Sequence, residues 1–124
     1  MVVDEFDAYF VDLVAPCLSV PEQRWSVRPI SSQEGYQLRN AAVSFNLDVL
    51  YSAVAPETPA ILYGPHVGPN QRFLFRVRED GAMEIAPVHA PTQCLTTTAD
   101  GVQIWPCSAA DERQTWELLP ESCA

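Results

Sequence analysis

A Gln-x-aromatic triplet occurs three times in the 124-residue chain, at intervals of 48 and 43 residues. The three copies are Gln23-Arg24-Trp25, Gln71-Arg72-Phe73 and Gln114-Thr115-Trp116. Each copy follows an apolar run and a polar loop and precedes an alternating, strand-like run. An acidic residue followed by glycine, at Glu34-Gly35 and Asp80-Gly81, begins the second and the third unit. Such a pair before an alternating run is a hairpin signal. The spacing therefore predicts three similar units of about four short strands each.

Repetition of this kind favours a closed sheet, because closure removes the free edges of its strands. We predict a single all-β domain over residues 1–124, with repeats at about 1–27, 28–77 and 78–119. Eleven prolines and five glycines agree with strands and turns and disfavour long helices. The aromatic residue of each triplet is expected in the core, and the preceding glutamine is expected to fix its own unit's turn through hydrogen bonds to the backbone.

The triplets and their flanks resemble the ricin B-type lectin family, whose members are β-trefoils with a Gln-x-Trp motif in each repeat. The resemblance covers the whole chain and is strongest over residues 35–75, in the runs GYQLRNAAVSFNLDV and ILYGPHVGPNQRF. It implies a β-trefoil of three four-stranded repeats. It also implies a lectin-like module for glycans that carry a galactose or N-acetylgalactosamine type of sugar.

The first repeat is shorter than this pattern. Only 24 residues precede Trp25, whereas 47 residues separate Trp25 from Phe73. We expect the opening strand of this repeat, and part of its second strand, to be missing. The result would be an open sheet edge near the N-terminus that could recruit a protein partner or a second copy of the chain.

The resemblance places the best sugar site in the middle repeat. A neutral sugar needs a carboxylate for its hydroxyls, an aromatic ring for its apolar face and amides that donate and accept. The residues that match are Asp48, Tyr63, Asn70 and Gln71, with His66 in the loop between them. Structural roles remain open for several of them, since Asp48 and Asn70 are also typical turn residues and Tyr63 suits a half-buried strand.

The other two repeats match less well. The third repeat keeps three residues of a weak secondary site: Gln103, Trp105 and Gln114. Thr96 stands there in place of the carboxylate and Arg113 in place of the amide. In the first repeat Val14 replaces the aromatic residue and Glu22 the amide, so we expect that site to be lost. These losses favour an alternative function, a trefoil that binds proteins instead of sugars, as a toxin or complex subunit or a protease inhibitor.

Charge and residue types exclude several other functions. Seven basic and sixteen acidic residues give a net charge of -9, which disfavours nucleic acids and anionic membranes. The chain has no lysine and no recognisable catalytic motif, so we predict that it is not an enzyme and needs no cofactor. His66 and His89 lack metal-ligand spacing, so no metal site is expected. No apolar run is long enough to span a membrane. The N-terminus does not read as a secretory signal, and both a secreted and a cytoplasmic location stay open.

Four cysteines allow three pairings, and their spacing includes no CxxC. Cys94 and Cys107 lie 13 residues apart around a turn, which suits either a disulfide across a hairpin or two free thiols. A bond between Cys17 and Cys123 is plausible because trefoil termini tend to lie close together. An intermolecular bond through Cys123 is the alternative.

Overall fold

The computed structural model describes residues 6–12, 24–30, 33–79, 81 and 83–119. Over these residues it contains ten strands: β1 (Phe6–Asp12), β2 (Arg24–Pro29), β3 (Tyr36–Asn40), β4 (Asn46–Val49), β5 (Ala60–Tyr63), β6 (Phe73–Val77), β7 (Met83–Pro87), β8 (Gln93–Thr98), β9 (Gly101–Pro106) and β10 (Trp116–Leu119). Three single 3-10 turns, Leu50–Ser52, Pro69–Gln71 and Glu112–Gln114, are the helical segments of this part of the chain. The all-β prediction is confirmed. Among the described segments, no helix has the length and apolar character needed to cross a membrane.

Six strands form a closed antiparallel ring. The order is β1, β2, β3, β6, β7 and β10, and β10 pairs with β1 to close it. Every ring strand therefore has a paired neighbour on both sides, with a single paired position between β3 and β6 and between β7 and β10.

Two hairpins complete the second and third units. β4 pairs with β5, and β8 pairs with β9, in antiparallel register. The middle unit thus runs from β3 to β6 and the third unit from β7 to β10, with four strands each. A bridge between Pro59 and Gln103 joins the two hairpins.

The first unit is shortened at a different place from the one expected. β1 pairs with β2 of its own unit and with β10 of the third unit. The opening strands of the other units do the same: β3 pairs with β6 and β2, and β7 pairs with β10 and β6. The opening strand is therefore present, and the predictions of its absence and of an open N-terminal edge are wrong. Residues 13–23, outside the described residues, connect β1 to β2, whereas residues 41–72 connect β3 to β6. The missing length falls between the two ring strands.

The core draws apolar residues from β2 to β4 and from β6 to β10. Its buried members are Val27, Leu38, Leu47, Val49, Phe73, Ile85, Leu95, Ile104 and Trp116. Phe73 is fully buried, and the Trp116 indole Nε1 donates to the carbonyl of Leu95 at 3.1 Å, so its polar atom is satisfied. Trp25 is half-buried and packs against this cluster. The prediction of core aromatics is thus confirmed for Phe73 and Trp116, and Trp25 lies at the border of the core.

A disulfide joins Cys94 on β8 to Cys107 after β9, with a Cα–Cα distance of 5.0 Å. Of the two alternatives for Cys94 and Cys107, a hairpin disulfide or two free thiols, the structure has the disulfide. The Arg76 guanidinium lies beside it, with Nη2 at 3.4 Å from the Cys107 sulfur, and Arg76 Nε also pairs with Glu84 at 2.8 Å. Cys17 and Cys123 lie outside the described residues, so their pairing stays a prediction.

Replacing both Cys94 and Cys107 by alanine is expected to lower the free energy of unfolding by about 2–3 kcal/mol, because the cross-link restricts the unfolded chain. Urea denaturation of the double variant and of the wild type measures this difference. The control is the same comparison in a thiol reductant, which opens the cross-link of the wild type and should bring the two proteins to nearly equal stability. A loss below about 0.5 kcal/mol under oxidising conditions would contradict the expectation.

Candidate functional site

The middle unit carries an open depression of about 200 Å³. The residues that line it are Asp48, Leu50, Tyr51, Ile61, Tyr63, His66 and Asn70. Four of the five residues predicted for the middle-repeat site are in this lining. The fifth, Gln71, is fully buried and bonds to Asp48. The structure therefore brings all five together.

The register of the β4–β5 hairpin explains why the carboxylate and the aromatic ring lie side by side. Asp48 pairs with Ile61, and Asn46 pairs with Tyr63. Residues directly opposite each other share a face, and so do residues two apart on one strand. Leu47 and Val49, on the other face of β4, join the core. Burial of one face therefore fixes the other as the floor of the depression.

The Asp48 side chain is only 6% exposed, and its carboxylate accepts hydrogen bonds from two amides. Asn70 Nδ2 donates to its Oδ1 at 3.1 Å, and Gln71 Nε2 donates to its Oδ2 at 2.8 Å. A carboxylate offers about four lone-pair sites, so these bonds orient the group and leave acceptor capacity toward the depression.

Gln71 connects this carboxylate to the loop that precedes it. Its Oε1 accepts from the backbone N–H of His66 at 2.9 Å and from Asn46 Nδ2 at 3.1 Å. Its Nε2 donates to the carbonyl of Gly64 at 3.0 Å in addition to Asp48. The predicted role of the glutamine in fixing its unit's turn is confirmed for Gln71, which also positions the carboxylate.

His66 sits at the rim, with its side chain 43% exposed. Its Nδ1 accepts from the backbone N–H of Gly68 at 2.9 Å, so the neutral ring carries its proton on Nε2. That nitrogen lies 3.4 Å from Asp48 Oδ2. The ring thus presents an N–H donor beside the carboxylate.

Sequence reasoning missed three lining residues: Leu50, Tyr51 and Ile61. Ile61 could have been found, because it lies two positions before Tyr63 on the same strand and must share its face. Tyr51 follows β4 in an irregular turn, where no periodic pattern indicates which way a side chain points.

The third unit repeats the glutamine's arrangement. Gln114 Oε1 accepts from the backbone N–H of Ser108 at 2.9 Å, and its Nε2 donates to the carbonyl of Pro106 at 3.0 Å and to Thr96 Oγ1 at 3.1 Å. Thr96 is fully buried, and its hydroxyl donates to the carbonyl of Cys94 at 2.9 Å. Its hydroxyl is therefore occupied as donor and acceptor and supplies no charge.

An arginine covers the aromatic ring of the third unit. The Arg113 guanidinium lies 5.9 Å from the Trp105 ring centroid, and Trp105 Nε1 donates to Gln103 Oε1 at 3.0 Å. Asp111 holds the guanidinium at 2.8 Å. The side-chain hydrogen bond between them lowers the pKa of Asp111 and raises that of Arg113. A ligand stacking on Trp105 would have to displace this cation–π contact, so the weak secondary site stays a prediction.

The predicted first-unit residues Gln23, Val14 and Glu22 lie outside the described residues, so the expected loss of a first-unit site stays a prediction.

In the described part of the chain, the group of side chains close enough together to bind a metal ion is Glu84 with Cys94 and Cys107. Those two cysteines form the disulfide, which removes their thiolates as ligands.

No protein-family model matches the sequence, and no curated protein matches it. Solved structures do match. The Polyporus squamosus lectin, bound to Neu5Acα2-6Galβ1-4GlcNAc, has a TM-score of 0.79 at 16% identity, over 95% of this chain and 50% of that chain. The Macrolepiota procera ricin B-like lectin in complex with lactose has a TM-score of 0.76 at 17% identity, over 95% of this chain and 97% of that chain. The designed threefold-symmetric protein ThreeFoil has a TM-score of 0.72 at 16% identity, over 91% of this chain and 97% of that chain.

The chain spans about half the length of the Polyporus lectin and nearly the full length of the other two proteins. At identities of 16–17%, the similarity to these three structures is one of fold. The closed six-stranded ring and the two hairpins agree with it. The chain is thus a β-trefoil, with the fold of the ricin B-like lectins.

Proposed function

We propose that this chain is a carbohydrate-binding module that recognises a galactose or N-acetylgalactosamine type of sugar through the depression of the middle unit. The observation that carries the proposal is the nearly buried Asp48 carboxylate, which lines the depression and is oriented by Asn70 and Gln71. A fixed acceptor of this kind suits two neighbouring sugar hydroxyls.

The neighbouring side chains supply the other contacts that a sugar needs. Tyr63 is 57% exposed and shares the face of Asp48, so its ring is available for the apolar face of a sugar. His66 lines the same depression with its Nε2 3.4 Å from Asp48 Oδ2, so a sugar hydroxyl that binds there can bond to the carboxylate and the imidazole together. The type of sugar is taken from the resemblance. The lactose and the galactose-containing glycan held by the two fungal lectins support that choice.

One open site of this size predicts weak binding, with a Kd of roughly millimolar to tens of micromolar. The first experiment is therefore a glycan array with the chain displayed multivalently, which raises the avidity of weak sites. A folded wild type that binds no glycan would overturn the proposal and leave the protein-interaction alternative. Partner capture would then be the next experiment.

Asp48→Thr is the most informative variant, because the third unit already carries threonine at this position with an equivalent glutamine bond. We expect the variant to fold and to lose sugar binding by at least about tenfold, since a charged hydrogen bond contributes about 1.5–3 kcal/mol. Titration with galactose followed by NMR measures the loss. The control is Asp100→Thr, the same exchange at an exposed position in the turn between β8 and β9, which should bind galactose like the wild type. Equal binding by Asp48→Thr and wild type would show that the site is assigned wrongly.

A further inference from the structure

Tyr51 occupies a backbone conformation that its side chain does not favour. In the turn after β4 it has φ 54° and ψ 22°, and Ser52 beside it also has φ 54°. A bulky residue at positive φ is a genuine outlier, and such strain clusters at functional sites. The Tyr51 side chain is 90% exposed, so burial in the core does not compensate for the strain.

The hairpin register places the backbones of Tyr51 and Tyr63 on opposite sides of Asp48, and both residues line the depression. Tyr63 pairs with Asn46, two positions before Asp48, and Tyr51 follows Asp48 by three positions. The strand from Asn46 to Val49 alone spans about 10 Å. Two rings that clasped one sugar from both faces would lie about 7–8 Å apart. This backbone spacing favours contact of the two tyrosines with two neighbouring sugars over contact of both with the same sugar.

We propose that Tyr51 binds the second sugar of the glycan, so that the site takes a neutral disaccharide or longer chain in preference to a monosaccharide. This inference rests on the proposed function and deepens it. The depression of about 200 Å³ is smaller than usual ligand pockets of about 300–1,000 Å³, so the rest of a glycan must extend over its rim. The lining holds a carboxylate and, among its residues, no arginine, which favours neutral sugars over acidic ones.

The test compares galactose with lactose, titrated into wild type, Tyr51→Gly and Ser52→Gly. Tyr51→Gly is expected to weaken lactose binding about three- to tenfold, the contribution of one aromatic contact, and to leave galactose binding within twofold. Ser52→Gly should change neither affinity. Both variants relieve a positive φ, so we expect the Tm of each to stay or to rise by a few degrees. This readout separates the loss of the ring from a damaged fold.

Two results would overturn the assignment of Tyr51. An equal loss for galactose and lactose would place its ring against the terminal sugar, and no loss for either would place it outside the site. Failure of the proposed function gives a different pattern. In that case the wild type binds neither sugar, or Asp48→Thr binds both as the wild type does, and this inference falls with it.

Discussion

Gln71→Ala is expected to lower the free energy of unfolding by about 3–5 kcal/mol and to abolish sugar binding. The substitution removes four hydrogen bonds at once, those to Asp48, His66, Asn46 and Gly64. Each buried donor or acceptor left without a partner costs about 1–3 kcal/mol, less where water enters. The Asp48 carboxylate would also lose one of the two amide donors that orient it. Urea denaturation measures the first effect and galactose titration the second.

Gln114→Ala provides the matched control, because Gln114 makes equivalent bonds in the third unit. We expect a similar loss of stability and an unchanged affinity of the middle-unit site for galactose, since Gln114 belongs only to the predicted weak secondary site. The two readouts together separate a general weakening of the fold from a local effect on the site. If Gln114→Ala weakens sugar binding as strongly as Gln71→Ala, the middle unit is not the site.

Phe73→Ala is expected to cost about 3–5 kcal/mol of the free energy of unfolding. The ring is fully buried at the start of β6, where the backbone pairs with both β3 and β7, so its removal leaves a cavity in the core. A domain of this size has about 5–15 kcal/mol in all, so the variant is measured by denaturation at low temperature.

Phe75→Ala is the comparison on the same strand. Phe75 is half-buried and packs against Tyr36, with ring centroids 5.5 Å apart. Loss of that contact and of partial burial should cost about 1–2 kcal/mol. A cost for Phe73→Ala no greater than for Phe75→Ala would contradict the place of Phe73 at the centre of the core.

The sequence predicts which residues of the middle unit lie together, because they stand at fixed offsets within one repeat, whereas sugar binding by them stays a proposal. Asp48 and Tyr63 are in opposite strands of one hairpin, and Gln71 is in the triplet itself, so local pattern determines their meeting. Arg113 was predicted to weaken the third-unit site by its residue type alone. Its position over the Trp105 ring depends on the pairing with Asp111, which no spacing rule indicates.

The misplaced gap in the first unit has a physical cause. Counting residues before Trp25 measures how much of the unit is missing and carries no information about which strand is lost. The segment Phe6–Asp12 contains aromatic and β-branched residues that favour a strand, and it pairs with β2 on one side and with β10 on the other. The pairing with β10, whose sequence lies more than 100 residues away, cannot be read from a window of neighbouring residues.

The pairing of β1 with β10 also bears on how the protein folds during synthesis. Tyr9 lies opposite Leu119, so the contact spans almost the whole chain, and such contacts slow folding because loop closure must precede them. Of the ten described strands, β1 is synthesised first, and β10, one of its two partners, is synthesised last. The nascent chain can assemble its middle unit early, but the barrel can close only after β10 has emerged.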